Sequence, residues 1–365
     1  MIPLQDFQRH VAAFEPQVGE RLAQVVSRGW FLNGPELEEF EARFASYTGT
    51  ACCVGVGNGT QAMEVALRTL GVGPGDEVVT VANAGMYATC AILLVGATPV
   101  FAEIREDTMN MDPESLRRLL ERRPKAVIAT HLYGQLCDIE EIASLCREKG
   151  IALIEDCAEA HGAASATGKA GSFGLAGCFS FYPTKNLGAF GDAGAITTND
   201  AGFAAKLRST RQYGWSQKYR ADTAGGTNSR MDEVQAAVLN VKLDRLDAMN
   251  ARRRHIAEYY NKALDGNCAL LPFTANGNFI VHHYVLRSTQ RDGVREALRA
   301  AGIGTEIHFP VPDHKQDALK GRFAGVSLPV TEAVCDTVFT VPSFAEMTDA
   351  EIEQTARALR DCYRP

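Results

Sequence analysis

Short apolar runs alternate with helix-length amphipathic stretches through much of the chain. Ala51–Val56, Glu77–Ala82, Thr98–Ile104, Lys125–Thr130 and Ile151–Ile154 read as buried strands. Gln61–Leu70, Met86–Val95, a segment capped by Asp112-Pro113, and Ile139–Lys149 read as the helices between them. Near-continuous apolar strands separated by helices imply a parallel sheet covered on both faces. In such sheets ligands sit beyond the carboxyl ends of the strands. Ahead of this unit, Phe7, Val11, Phe14, Val18, Leu22, Val25 and Val26 recur at helical spacing. Gly29–Pro35 is a turn carrying an exposed Trp30-Phe31 pair, and Glu36–Tyr47 reads as another helix.

After Thr198 a helix starts at Asn199-Asp200 and runs toward Tyr213. A polar, glycine-rich loop (Gly214–Arg230) and a long helix (Met231–Met249) follow. The remainder, with helices at Arg252–Leu264, Gly293–Ala301 and Asp349–Tyr363 and short strands in Ile280–Leu286, reads as a small α+β domain. The expected division is therefore 1–248, an N-terminal arm with a large domain, and 249–365, a smaller domain.

The most informative stretch is Phe179–Gly194. An aromatic strand breaks at Pro183, presents Lys185 as the one cation, and gives way to a second apolar run, Ala195–Thr198. Burial between strands favours the neutral amine of a lysine, and a neutral amine attacks carbonyl carbon. Taken alone, the stretch is equally compatible with a surface lysine in a polar turn. Ile154–Gly162 places Glu155 and Asp156 at the end of a buried strand; a helix cap is the plainer reading of Asp156. Gly57-Asn58-Gly59-Thr60, between a strand and a helix, suits an anion, although a simple capping turn has the same composition.

The net charge of −7 leaves no basic excess for general nucleic-acid binding. The ten cysteines include no Cys-x-x-Cys pair and read as small buried hydrophobes in a reducing compartment. The amino terminus lacks a basic and apolar leader, and no apolar run approaches the ~20 residues of a membrane span. The expectation is a cytoplasmic globular protein without metal, nucleic-acid or membrane partners.

Ser180-Phe-Tyr-Pro-Thr-Lys-Asn-Leu-Gly-Ala189, with Gly191-Asp-Ala-Gly-Ala-Ile196 after it, resembles the lysine segment of the pyridoxal-phosphate sugar aminotransferases of the DegT/DnrJ/EryC1/StrS family. The resemblance extends from the glycine turn near residue 57 to Gly304–Pro312. It implies a fold-type-I transferase: a mostly parallel seven-stranded sheet in the large domain and a smaller C-terminal α+β domain. It implies that Lys185 holds pyridoxal 5'-phosphate as a Schiff base and that Asp156 meets the pyridine nitrogen. Gly59, Thr60 and Ser180 would take the cofactor phosphate. Glu159 stands where the family has glutamine beside the phenolic oxygen. Met86 falls in the slot of an aromatic over the ring, with Tyr87 as the alternative. Asn228, in Thr227–Glu233, would reach the phosphate of the neighbouring subunit, making the active site a property of a homodimer. His308, in a His-Phe-Pro segment, and Arg211 are candidate substrate contacts, and each reads equally well as an ordinary surface residue.

The implied activity moves an amino group from glutamate or glutamine to a nucleotide-linked keto sugar, with a lean toward a 3-keto-6-deoxyhexose. Amination at C4 or of a cyclitol ketone is the near alternative. A lysine, not a histidine, at 185 argues against the family's dehydratase branch. A nucleotide-dependent oxidoreductase is a different class; the absence of Gly-x-Gly-x-x-Gly after the first strand counts against it. A cofactor-binding sensor without turnover is a third.

Overall fold

The computed structural model describes residues 1–264, 277–319 and 321–363. Helices α1 (Phe7–Ala12), α2 (Gln17–Arg28) and α3 (Pro35–Thr48) come first. Then follow β1 (Cys52–Val56), α4 (Gly59–Leu70), β2 (Glu77–Val81), α5 (Tyr87–Leu94), β3 (Thr98–Ala102), α6 (Pro113–Leu120), β4 (Ala126–Thr130), α7 (Ile139–Lys149) and β5 (Ala152–Asp156). The chain continues with β6 (Ala176–Ser180), β7 (Gly194–Thr198), α8 (Ala201–Thr210), β8 (Trp215–Gln217), β9 (Arg220–Ala221), α9 (Glu233–Leu243) and α10 (Leu246–Leu264). It closes with β10 (Tyr284–Arg287), α11 (Arg291–Ala300), α12 (Pro329–Thr337), β11 (Val338–Val341) and α13 (Asp349–Cys362).

Among the described residues, β1 to β7 form one sheet in the order β1-β7-β6-β5-β4-β2-β3. The pairs β2–β3, β2–β4, β4–β5 and β5–β6 are parallel, while β7 runs antiparallel to both β1 and β6. A parallel return needs a long crossover, usually a helix. Residues 181–193 contain none, so β7 comes back against β6 and the Lys185 loop joins the two at the carboxyl end of β6.

The local signals explain the elements. Asn58 caps α4 by accepting the Gln61 N–H at 2.9 Å, and Gly71 ends it with φ of 77°. Asp112 caps α6 and Asp200 caps α8 in the same way. One face of the sheet is covered by α4, α5 and α8 through Met63, Leu67, Ile92 and Leu207. The other face shares one continuous core with the C-terminal region, in which Val79, Val127 and Leu153 belong with Val285, Phe339 and Leu359. Phe44 of α3 meets Phe40, Phe179 and Phe181 at ring centroid distances of 5.4, 4.9 and 5.3 Å. Emptying a site of this kind to alanine costs about 3–5 kcal/mol.

The structure differs from the sequence reading in several places. The helix expected over 231–249 breaks after Leu243, and α10 carries on from Leu246 through the expected division at 248/249. The loop 214–230 holds a small β8–β9 hairpin. Strand β11, antiparallel to β10, and helix α12 before it were not anticipated. The described cysteines are unpaired, and Cys52, Cys90 and Cys362 are only half-buried; Cys268 lies outside the described residues. No helix among the described residues is long and apolar enough to cross a membrane.

Candidate active site

A cavity of about 780 Å³ opens at the carboxyl ends of the parallel strands. Successive residues of β5 point to opposite faces, and this alternation separates its two acids. Glu155, fully buried, accepts the N–H groups of Gly171, Phe173 and Gly174, each at 2.8 Å, and lies 3.1 Å from His131 Nε2. It fastens the 171–174 loop to the sheet. Asp156 faces the cavity instead. Its carboxylate accepts the Ala158 N–H at 3.1 Å and the Thr130 hydroxyl at 3.4 Å. No lysine, arginine or histidine pairs with it within 4.0 Å among the described residues. Burial pushes its carboxyl above the ordinary aspartate value.

Lys185 stands opposite in the β6–β7 loop. Its backbone N–H bonds the Tyr182 carbonyl at 2.8 Å, and Ala189 N–H bonds the Phe181 carbonyl at 2.8 Å, closing a tight bend. Gly188 is required there, since a Cβ would stand 2.4 Å from the Pro183 carbonyl oxygen. The Lys185 side chain is 13% exposed, and its Nζ lies 3.1 Å from Glu159 Oε1. The other oxygen of Glu159 accepts the Tyr133 N–H at 2.8 Å. Lys185 and Asp156 thus line the same cavity, as do Gly59, Thr60, Ser180, Glu159 and His308.

The phosphate candidates form one corner. The side-chain cap of Asn58 takes the Gln61 N–H, and the first-turn amides of Gly59 and Thr60 have no intrahelical acceptor. A Cβ on Gly59 would stand 2.6 Å from Ser180 Cβ, so only glycine lets the start of α4 approach the end of β6 this closely. The N-terminal pole of a twelve-residue helix, with a hydroxyl beside it, is a receptor for a dianion.

Three sequence expectations do not reach this cavity. Arg211 is buried against Glu41 Oε1 at 2.7 Å and the Gly55 carbonyl, where it ties α8 to α3 and β1. Met86 takes φ of 71° at the start of α5, and its N–H bonds Asp313 Oδ1 at 3.0 Å. That turn swings Tyr87, not Met86, onto the cavity wall, edge-to-face with Phe309 at 6.1 Å. Asn228 is exposed, bridged to Gln212, and outside the cavity of its own chain.

Other groups enter from the C-terminal region. His282 and His283 line the cavity, with ring centroids 4.0 Å apart, and His283 stacks on His308, also at 4.0 Å. Burial keeps both His282 and His283 well below the usual histidine range, hence neutral. Asn186 donates to Asn250 Oδ1 at 2.7 Å, so its own oxygen receives the His282 Nδ1 proton at 3.0 Å. His282 Nε2 then carries a lone pair with no hydrogen-bond partner among the described residues, 3.7 Å from Glu159 Oε1. The signal for these groups was a histidine pair inside the apolar run Phe279–Leu286.

This arrangement can be compared with known proteins. The profile of the DegT/DnrJ/EryC1/StrS aminotransferase family matches residues 14–360. The chain belongs to this family. It is 40% identical over 344 residues to the dTDP-3-amino-3,4,6-trideoxy-alpha-D-glucose transaminase of Streptomyces venezuelae, covering 93% of this chain and 90% of that protein. It is 39% identical to the dTDP-3-amino-3,6-dideoxy-alpha-D-galactopyranose transaminase of Aneurinibacillus thermoaerophilus, covering 98% and 99%. The S. venezuelae DesV crystal structure, solved with a ketimine intermediate, superposes with a TM-score of 0.96 at 37% identity, covering 100% of this chain and 99% of that one. The Bacillus subtilis ntda structure with bound cofactor pmp gives 0.93 at 25% identity, covering 99% and 85%. The protein is therefore an enzyme, an aminotransferase of a family that depends on pyridoxal phosphate. The aminotransferase's own residues fit that cofactor. They offer a helix pole with Ser180 for a phosphate, a buried carboxylate without a cation for a protonated ring nitrogen, and a shielded amine for an aldehyde.

Proposed function

We propose that this aminotransferase moves an amino group from glutamate or glutamine to a keto sugar carried on a nucleoside diphosphate, at C3 of a 6-deoxyhexose. The carrying observation is that Lys185 and Asp156 line one cavity, which the α4 pole also borders. The named transaminases to which the chain is similar act on 3-amino deoxy sugars attached to dTDP, and they supply the substrate class.

Pyridoxal phosphate, when bound, supplies a carbonyl for the donor's amine and a ring that stores the electrons released at its α-carbon. The chain's residues do the rest. The Gly59 and Thr60 amides and the Ser180 hydroxyl would hold the phosphate. Asp156 would keep a proton on the ring nitrogen. Lys185 Nζ, once free, would carry the proton from the donor's α-carbon and later deliver one to the sugar carbon. Glu159 accepts a hydrogen bond from Nζ at 3.1 Å and would hold that amine in position. The cluster of His282, His283 and His308, neutral in the folded protein, would offer uncharged hydrogen-bonding atoms to the sugar.

The working unit in this reading is a cytoplasmic homodimer. Trp30 and Phe31 are 56% and 52% exposed on a single chain, and Tyr213 is 42% exposed. Apolar surface of this kind is normally covered. Asn228, whose backbone forms the bridge to Gln212, is exposed and would serve the phosphate of a second copy. The test is the purified protein's visible absorbance with and without glutamate, followed by nucleotide-linked keto sugars as acceptors. The expected result is a cofactor band bleached by the donor, restored by a 3-keto sugar, and absent from Lys185→Ala. A Lys185→Ala protein with full turnover would end the proposal.

A further inference from the structure

Among the described residues, two arginines are more than nine-tenths buried, and they differ in one respect. Arg211, 7% exposed, has the carboxylate of Glu41 at 2.7 Å. Arg253, 5% exposed, has no acidic oxygen within 4.0 Å among the described residues. Its Nη1 donates to two backbone carbonyls, those of His282 and Ser343, at 3.2 Å each. Its guanidinium makes no other hydrogen bond to the protein among the described residues. Arg253 nevertheless lines the cavity that holds Lys185. A buried cation without a counter-ion is costly. Burial lowers the guanidinium to about 10, and the charge of Glu346, already paired with His10 at 2.6 Å, offsets little of that. At neutral pH the group is a cation awaiting an anion.

Its place decides which anion. Arg253 is joined through the His282 backbone to the imidazole that faces Glu159, and Glu159 bonds Lys185 Nζ. The α4 pole with Ser180 is a separate anion receptor in the same cavity. A group as buried as Arg253 suits a small carboxylate better than a bulky nucleotide diphosphate. An amino donor must bring its α-carbon to Lys185 Nζ, and its α-carboxylate is attached directly to that carbon.

We propose that Arg253 receives the α-carboxylate of the amino donor and so fixes the α-carbon beside Lys185. This deepens the aminotransferase reading and rests on it. Planar guanidinium and carboxylate pair in a fixed fork, so the contact orients as well as attracts. A keto sugar has no such carboxylate, so Arg253 serves the donor half of the cycle alone.

The experiment follows donor-dependent loss of the cofactor band in the holoenzyme, with L-glutamate, L-glutamine and L-isoglutamine as probes. Isoglutamine replaces the α-carboxylate with an amide; glutamine keeps it. The wild type should take isoglutamine on the order of 100-fold less readily than the better of the other two, the scale of a charge-assisted pair. Arg253→Gln should raise the half-saturating donor concentration by a similar factor, abolish the discrimination, and leave dTDP binding unchanged. Arg253→Lys should recover part of the loss. A wild type that accepts isoglutamine as well as glutamate overturns the inference, and needs no variant to fold. So does an Arg253→Gln protein that keeps the discrimination, or one that loses dTDP affinity in its place. A wild-type holoenzyme that no amino acid bleaches would sink the aminotransferase reading itself, a separate result.

Discussion

Asp156→Asn should make the cofactor-free protein more stable while making the enzyme worse. The carboxylate is 4% exposed, carries no ion pair among the described residues, and lies near the charge of Glu159, which opposes its ionisation after burial. Asparagine keeps the shape. Its oxygen can still accept the Ala158 N–H, and its amide can donate to the Thr130 hydroxyl, so hydrogen bonds are conserved and only the charge leaves. Relief of an unpaired buried carboxylate is worth on the order of 1–2 kcal/mol, or about 1–3 °C in Tm for a chain of this length. The pH dependence carries the sign. A carboxyl raised in the folded state binds its proton more tightly there than in the unfolded chain, so wild-type stability falls as pH rises through the unfolded value of about 3.9 and beyond. The variant lacks this loss. The two apoproteins should therefore melt together at the acid end and separate toward neutrality, the variant higher. Added pyridoxal phosphate should reverse the order, because ligand at 100 times its Kd adds about 2.7 kcal/mol and the wild type binds it more tightly. The assay is thermal melting of both apoproteins across pH, repeated with cofactor. A variant apoprotein less stable than wild type at neutral pH, or a difference that ignores pH, would refute the account of Asp156 as an unpaired charge waiting for a cationic partner.

Gly59→Ala should fold but bind pyridoxal phosphate about 10–100-fold more weakly, because its Cβ must displace Ser180, 2.6 Å away, at a cost of about 1–3 kcal/mol; a cofactor titration showing unchanged affinity would contradict the α4 pole as the phosphate site. Lys242 is fully buried, with Nζ on the Gly188 carbonyl and between the rings of Phe14 and Phe190, and burial lowers it to about 7. The folded state therefore pays for the cation below that pH and is relieved as pH rises toward 10.5. Lys242→Met should remove a pH-dependent gain on the order of 4 kcal/mol between those limits, visible as flat urea midpoints where the wild type climbs; parallel curves would show that Lys242 is not the group responsible. Asn228→Ala should lower cofactor affinity without changing the melting of the apoprotein, and mixing it with an inactive Lys185→Ala protein should produce hybrid sites that a monomeric enzyme could not form.

What could be read from the chain was whatever lay contiguous in it. The strand of Ile151–Ile154 ran into Glu155-Asp156, and the strand before Pro183 ran into Lys185, so the two central groups were legible as ends of apolar runs. Which of the two acids faced the cavity followed from strand alternation only once the register was fixed, since Asp156 pairs with Thr130 and Cys178. Met86 was preferred over Tyr87 by counting, and counting failed because Met86 adopts a left-handed backbone that resets the direction of the next side chain. The missing half of the site was of another kind. Arg253 is the second of three consecutive arginines on an ordinary-looking helix, and nothing local separates it from Arg252 or Arg254. Arg252 pairs at the surface with Asp349, while Arg253, one step round the helix, is turned inward beside His282. A helix advances about 100° per residue, so neighbours in sequence meet different surroundings. Those surroundings, here the His282 and Ser343 carbonyls, are set by the tertiary packing of α10.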